Sequence, residues 1–94
     1  MRIKFLRSAL EDLKWLRFYY ESVFPQGTRK AQKQYYLAKS LLKENPYIGH
    51  STDVKNVREF SIPTIPFSFI YCINEDVIEV LRIWDERQDR SSSD

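Results

Sequence analysis

What most limits the fold of this chain is the way its second half is punctuated. Asn45-Pro46-Tyr47-Ile48-Gly49 breaks a helical pattern, and three short runs rich in β-branched and aromatic residues follow. Val57 to Ile62, Phe67 to Ile73 and Val77 to Trp84 each read as a strand. Ile62-Pro63-Thr64-Ile65-Pro66 and Asn74-Glu75-Asp76 connect them as hairpins. The middle run is apolar at nearly every position, which marks a central strand buried on one face and covered at least partly on the other. His50 to Lys55 is polar and reads as a loop.

The first half is helical apart from its start. Arg2 to Leu6 alternates charge with Ile3 and Phe5, as a short strand with one dry face does. Ser8-Ala9-Leu10-Glu11 then has the form of a capping box. Ala9, Leu13, Leu16, Tyr20 and Val23 recur at helical spacing, so a first helix runs to about Phe24. Phe24-Pro25-Gln26-Gly27 breaks it. A second helix spans about Thr28 to Glu44, with Ala31, Tyr35, Ala38 and Leu42 on its core stripe. Pro46 stops that helix, because the residue before a proline is pushed out of helical geometry. The short connection makes the two helices an antiparallel hairpin. The element order β-α-α-β-β-β therefore predicts an α+β domain: an N-terminal strand and a helical hairpin packed on an antiparallel sheet. Residues 1–90 form one domain, and 91–94, Ser-Ser-Ser-Asp, read as a disordered tail.

Composition excludes several functions. Two glycines, Gly27 and Gly49, cannot build a phosphate-binding or dinucleotide loop. With one cysteine, Cys72, and one histidine, His50, neither a disulfide nor a Cys/His metal cluster is expected, and no cofactor is implied. Cys72 falls in the most apolar strand and reads as a small buried hydrophobe; His50 reads as a turn residue. No run reaches the roughly 20 apolar residues of a membrane span, and no signal-peptide core follows Met1, so a cytoplasmic protein is expected. Fifteen basic and thirteen acidic side chains leave +2, which does not suggest sequence-specific nucleic-acid binding.

Two features exceed what a core requires. Trp15, Phe18 and Tyr19 lie well around the first helix from Leu13 and Leu16, and Leu37 and Leu41 are displaced on the second. They either widen a core stripe or form an apolar surface for a partner. Arginines concentrate on the strands and their exit: Arg58, Arg82, Arg87 and Arg90. Strict alternation places Ile78, Val80, Arg82 and Trp84 on one face. An arginine beside a tryptophan can grip a phosphate or stack on a ring, and can equally be a solvated edge.

Taken in order, these landmarks resemble the RelE/ParE family of toxins from type II toxin–antitoxin pairs. Ala9, Asp12 and Leu13 resemble its first-helix signature, and Asn45-Pro46 with Ile48-Gly49 its mid-chain turn. Val57-Arg58-Glu59, Pro66-Phe67 with Ile70-Tyr71, and Leu81-Arg82-Ile83-Trp84 with Arg87 resemble its strands. The family holds two mechanisms on one fold: ribosome-dependent messenger-RNA cleavage in RelE-like members and DNA gyrase inhibition in ParE-like ones. Ser68 stands where a nuclease commonly carries arginine, and no tyrosine or histidine follows Arg87. Those departures place the chain nearer the ParE-like branch, a gyrase inhibitor rather than an enzyme, with no catalytic residues. Asp85 departs from both branches. The resemblance implies a ParD-like antitoxin in a toxin–antitoxin hetero-oligomer. On this reading Arg58, Arg82, Trp84, Arg87 and Arg90 form the target-binding set, and Trp15, Phe18, Tyr19, Leu37 and Leu41 the antitoxin-binding set. The alternatives are the RelE-like nuclease and an inactive partner of the antitoxin.

Overall fold

A computed structural model describes residues 1–88; Arg90 and the tail 91–94, the latter expected to be disordered, lie outside them. Strand β1, Arg2–Phe5, leads into α1, Arg7–Phe18. The helix loosens into a π-helical turn, Tyr19–Val23, closed by Phe24 N–H donating to Tyr19 O at 2.8 Å. A 3₁₀ turn, Pro25–Gly27, reverses the chain into α2, Thr28–Glu44. The remaining strands are β2, His50–Ser51; β3, Arg58–Ser61; β4, Phe67–Asn74; and β5, Val77–Asp85.

The α+β architecture expected from the sequence is present, and the structure adds detail in four places. The five strands form one sheet in the order β1-β5-β4-β3-β2, antiparallel except that β1 runs parallel to β5. The polar stretch after Gly49 is not wholly loop, because His50 and Ser51 pair with Glu59 and Arg58. The capping box does not form. Leu6 N–H is held by Val80 O at 3.0 Å, so the chain turns helical directly from the sheet, with Leu6 as N-cap. The side chain of Glu11 goes instead to Lys14.

The fourth difference is in β5. Tyr71 pairs with Val80, whereas Ile70 pairs with Arg82, so Leu81 is an extra residue without a partner on β4. A bulge of this kind breaks the two-residue alternation. Ile78 and Val80 share the face toward the helices, but beyond the bulge it is Ile83 and Asp85 that are buried, opposite Phe69 and Phe67. Arg82 and Trp84 register instead with Ile70 and Ser68. The expected common face of Ile78, Val80, Arg82 and Trp84 is thereby split.

One face of the sheet and the inner stripes of the helices make the core. Phe67, Phe69 and Tyr71 from β4 and Ile78, Val80 and Ile83 from β5 meet Ala9, Leu16, Tyr20, Ala31, Tyr35, Ala38 and Leu42. Tyr35 packs on Phe69 with ring centroids 5.7 Å apart, and Tyr20 on Phe67 at 6.2 Å. Each such buried aromatic contributes roughly 1.5–3 kcal/mol by leaving water.

Because β1 pairs with β5 only as far as Val80, the rest of that edge of β5 has no neighbouring strand. Helix α1 borders it, and Asp12 takes the missing strand's part. Its carboxylate accepts the Ile83 backbone N–H at 2.9 Å and both Nε and a terminal nitrogen of Arg82 at 2.7 and 3.0 Å. Asp12→Ala leaves that backbone donor unmatched and should cost about 2 kcal/mol. Arg82→Ala removes only a half-exposed ion pair and should cost under about 1 kcal/mol. Urea denaturation with an unchanged slope checks the ordering, and equal losses would refute it.

Candidate recognition surface around Arg87

The inward turn of Asp85 sets up this surface. Its carboxylate is only 7% exposed, and burial of an unpaired carboxylate is costly. Arg87 answers it in a two-point grip, Nε to Oδ1 at 2.8 Å and a terminal nitrogen to Oδ2 at 2.7 Å. The Arg87 backbone N–H and the Trp15 indole N–H add bonds of 3.0 and 3.3 Å. Hydrogen bonds from the Arg87 side chain, opposed by burial, hold the Asp85 carboxyl below its ordinary range. The same bonds to Asp85 raise Arg87. The guanidinium lies over the Tyr19 ring at 4.1 Å and near Phe67 at 5.5 Å. A planar cation on aromatic rings with a bidentate carboxylate is a rigid arrangement.

The other proposed target-binding residues are also built into the fold. Arg82 is paired with Asp12, with its side chain about half exposed. Arg58 reaches back to the mid-chain turn, donating to Gly49 O at 3.0 and 2.6 Å and to Tyr47 O at 3.2 Å. It also lies over the Tyr47 ring at 5.4 Å. Tyr71 pins the same turn, donating to Pro46 O at 2.8 Å and accepting from Gly49 N–H at 3.0 Å. A Cβ on Gly49 would stand 2.6 Å from Glu59 O, so a glycine is needed here for space. Trp84 is half-buried opposite Ser68. Ser68 is fully buried and bonds through its hydroxyl to Glu86, which also accepts from Ser61 at 2.7 Å.

The five candidate partner-binding residues do not form one patch. Trp15 and Phe18 are 41% and 52% exposed and stack with centroids 5.7 Å apart; the half-buried Tyr19 lies 6.2 Å from Trp15. Together they adjoin Arg87. Leu37 and Leu41 are exposed on α2. Each is five residues from a residue lining the groove between the helices, Gln32 and Tyr36, which places it roughly 140° around the helix from that groove. The groove, about 300 Å³, is lined also by Leu13, Leu16, Arg17, Tyr20 and Tyr35. Burial there pushes the Tyr35 hydroxyl up to about 12.

Neither His50 nor Cys72 joins the Arg87 cluster. His50 is on β2, at the far edge of the sheet from β1, and its ring contacts Ser51 O. The Cys72 thiol, raised by burial, faces Glu79. Among the described residues no group of His, Cys, Asp and Glu could hold a metal, and no helix is long and apolar enough to cross a membrane. Sequence reading found the arginines but missed their carboxylate partners as a structural set. Asp85 was hidden in a mixed-charge run that ordinarily marks a solvated face. The signal available was the offset from Val80 to Ile83, three residues where two were expected.

Residues 3–90 match the family described as ParE toxin of type II toxin–antitoxin system, parDE. Among solved structures, the chain is similar to one titled chromosomal ParDE TA system from P. aeruginosa. The two are 26% identical with a TM-score of 0.73, and the match covers 88% of this chain and 92% of that one. No curated protein sequence matches significantly.

The Asp85 clamp makes a pH signature. A carboxyl with a lowered folded-state pKa stabilises the fold fully above its unfolded value, about 3.9, and loses that contribution as pH falls through the folded value. Asp85→Asn should therefore flatten the fall in stability below about pH 4. Urea midpoints taken from neutral pH downward test this; an acid slope identical to wild type would show that the clamp carries no such linkage.

Proposed function

The chain belongs to the ParE toxin family of type II toxin–antitoxin systems, and from that premise we propose that it arrests growth in the cytoplasm by binding DNA gyrase and is neutralised by a ParD-type antitoxin. The similar ParDE structure supports an antitoxin of that type. Arg58, Arg82, Trp84 and Arg87 are the proposed target contacts within the described residues, with Arg90 beyond them.

The observation that carries the gyrase reading is the chemistry around Arg87. Cleavage of RNA by its own ribose hydroxyl needs a proton acceptor beside cations on the phosphate. Here Asp85, the nearest carboxylate, is already bound by Arg87 and lowered in pKa, which makes it a weak base. His50 belongs to a strand separated from β5 by β3 and β4. Position 68, on the outer side of β4, carries a buried serine bonded to Glu86 rather than a cation. A guanidinium fixed on Tyr19 and Phe67, with the exposed rings of Trp15 and Phe18 close by, suits recognition of a protein surface better than proton transfer.

Purified protein should inhibit gyrase supercoiling and leave translated messenger RNA intact. Arg87→Ala, checked for folding by circular dichroism, should lower the inhibition at least about tenfold, and Arg87→Lys should fall between, since lysine cannot reproduce the planar two-point contact. Position-specific cuts in translated messages, lost on Arg87→Ala with gyrase unaffected, would replace this reading with the nuclease one. A chain that does neither and leaves growth unchanged would be an inactive partner of the antitoxin.

A further inference from the structure

Arg87 stands in the proposed target-binding set and Trp15, Phe18 and Tyr19 in the antitoxin-binding set, yet the structure joins them. Arg87 rests on Tyr19 at 4.1 Å, and Trp15 and Arg87 both donate to Asp85 Oδ2. We propose that Arg87 is itself an antitoxin contact: the segment that covers Trp15, Phe18 and Tyr19 places an acidic side chain on the Arg87 guanidinium, so that neutralisation occupies the toxin's own target-binding arginine. This rests on the antitoxin reading above and extends it to a residue assigned to the other surface.

Charge complementarity identifies the occupant as an acidic segment with apolar anchors. Residues 1–44 carry ten lysines and arginines against four aspartates and glutamates. Two of those four acids are paired beside this surface, Glu11 with Lys14 and Asp12 with Arg82. Asp85 is consumed by Arg87. An incoming carboxylate therefore approaches a half of the chain with net positive charge, and at Arg87 it meets a half-exposed cation with rings to cover beside it. A guanidinium has five N–H donors; Asp85 engages two of its nitrogens, and the side chain remains 39% exposed. The partner's carboxylate and Asp85 can thus share one cation from different edges. Trp15 and Phe18, half-exposed and stacked, supply the apolar anchors of such a contact.

The test is the affinity of the full-length cognate antitoxin for variants of the whole chain, measured by titration calorimetry. Arg87→Ala should weaken binding by about 30-fold or more, Arg87→Lys by less, and Arg29→Ala, a basic control on α2, by less than about twofold. If Arg87→Ala alone fails to fold, the paired change Asp85→Asn with Arg87→Gln removes both charges and should show the same loss. A folded Arg87 variant that binds antitoxin within about twofold of wild type overturns the proposal. A parallel gyrase-binding assay separates the premises. If the free chain does not bind gyrase, the target reading fails while the antitoxin affinities still decide the role of Arg87. If gyrase binds the preformed toxin–antitoxin complex through Arg87, the shared-residue proposal is overturned and the target reading stands.

Discussion

A single extra residue in the last strand governs how this molecule presents its charge. Without the bulge at Leu81 strict alternation would carry Arg82 and Trp84 toward the helices and turn Ile83 and Asp85 outward. With it, an isoleucine closes the core and a carboxylate is driven inward beside Phe67. The local consequence is a buried anion that must be answered. Arg87, two residues on, is within reach because the backbone doubles back there, with Glu86 N–H bonded to Pro66 O and Gln88 N–H to Asp85 O.

The two carboxylate–arginine pairs described above are not equivalent. Asp12 and Arg82 meet at the sheet margin with the arginine half in water, where the ion pair contributes little beyond the backbone bond that Asp12 also makes. Asp85 and Arg87 meet where the carboxylate is withdrawn from solvent, so separating them leaves a charge with nowhere favourable to go. A buried pair of this kind adds less to net stability than its geometry suggests, because desolvation consumes much of the attraction. Its value is positional: it fixes a guanidinium plane that would otherwise sample many rotamers.

Much of the architecture was legible because local chemistry and tertiary structure agree. The limits of α2 follow from the reversal at Gly27 and the stop at Pro46, and the observed span is Thr28–Glu44. The strand runs were visible in their β-branched and aromatic residues. Where local and long-range demands conflict, the sequence misleads. Ser8 and Glu11 have the spacing of a capping box, but Leu6 is tied to Val80, and that long-range bond decides where the helix begins. Of the surface residues, four of the five apolar candidates are exposed, whereas the arginines grouped in the sequence go to separate partners, Arg58 to the mid-chain turn, Arg82 to Asp12 and Arg87 to Asp85. That the apolar candidates separate into two flanks follows from which side of each helix meets the sheet, and Asp12 and Asp85 acquire meaning only through contacts between distant segments.

The parallel pairing of β1 with β5 has a kinetic side. Arg2 and Val77 are aligned partners, so strand β1 finds its neighbour only when both helices and the three strands between them have been made. Pairings of such sequence separation form slowly, since the loop must close before its contacts reward it. During synthesis Ile3 and Phe5 emerge early and must wait for Ile78 and Val80. The Arg87 clamp is later still, lying beyond the strand that completes the sheet. The order of emergence from the ribosome is therefore helices first, sheet closure next and the Arg87 clamp last.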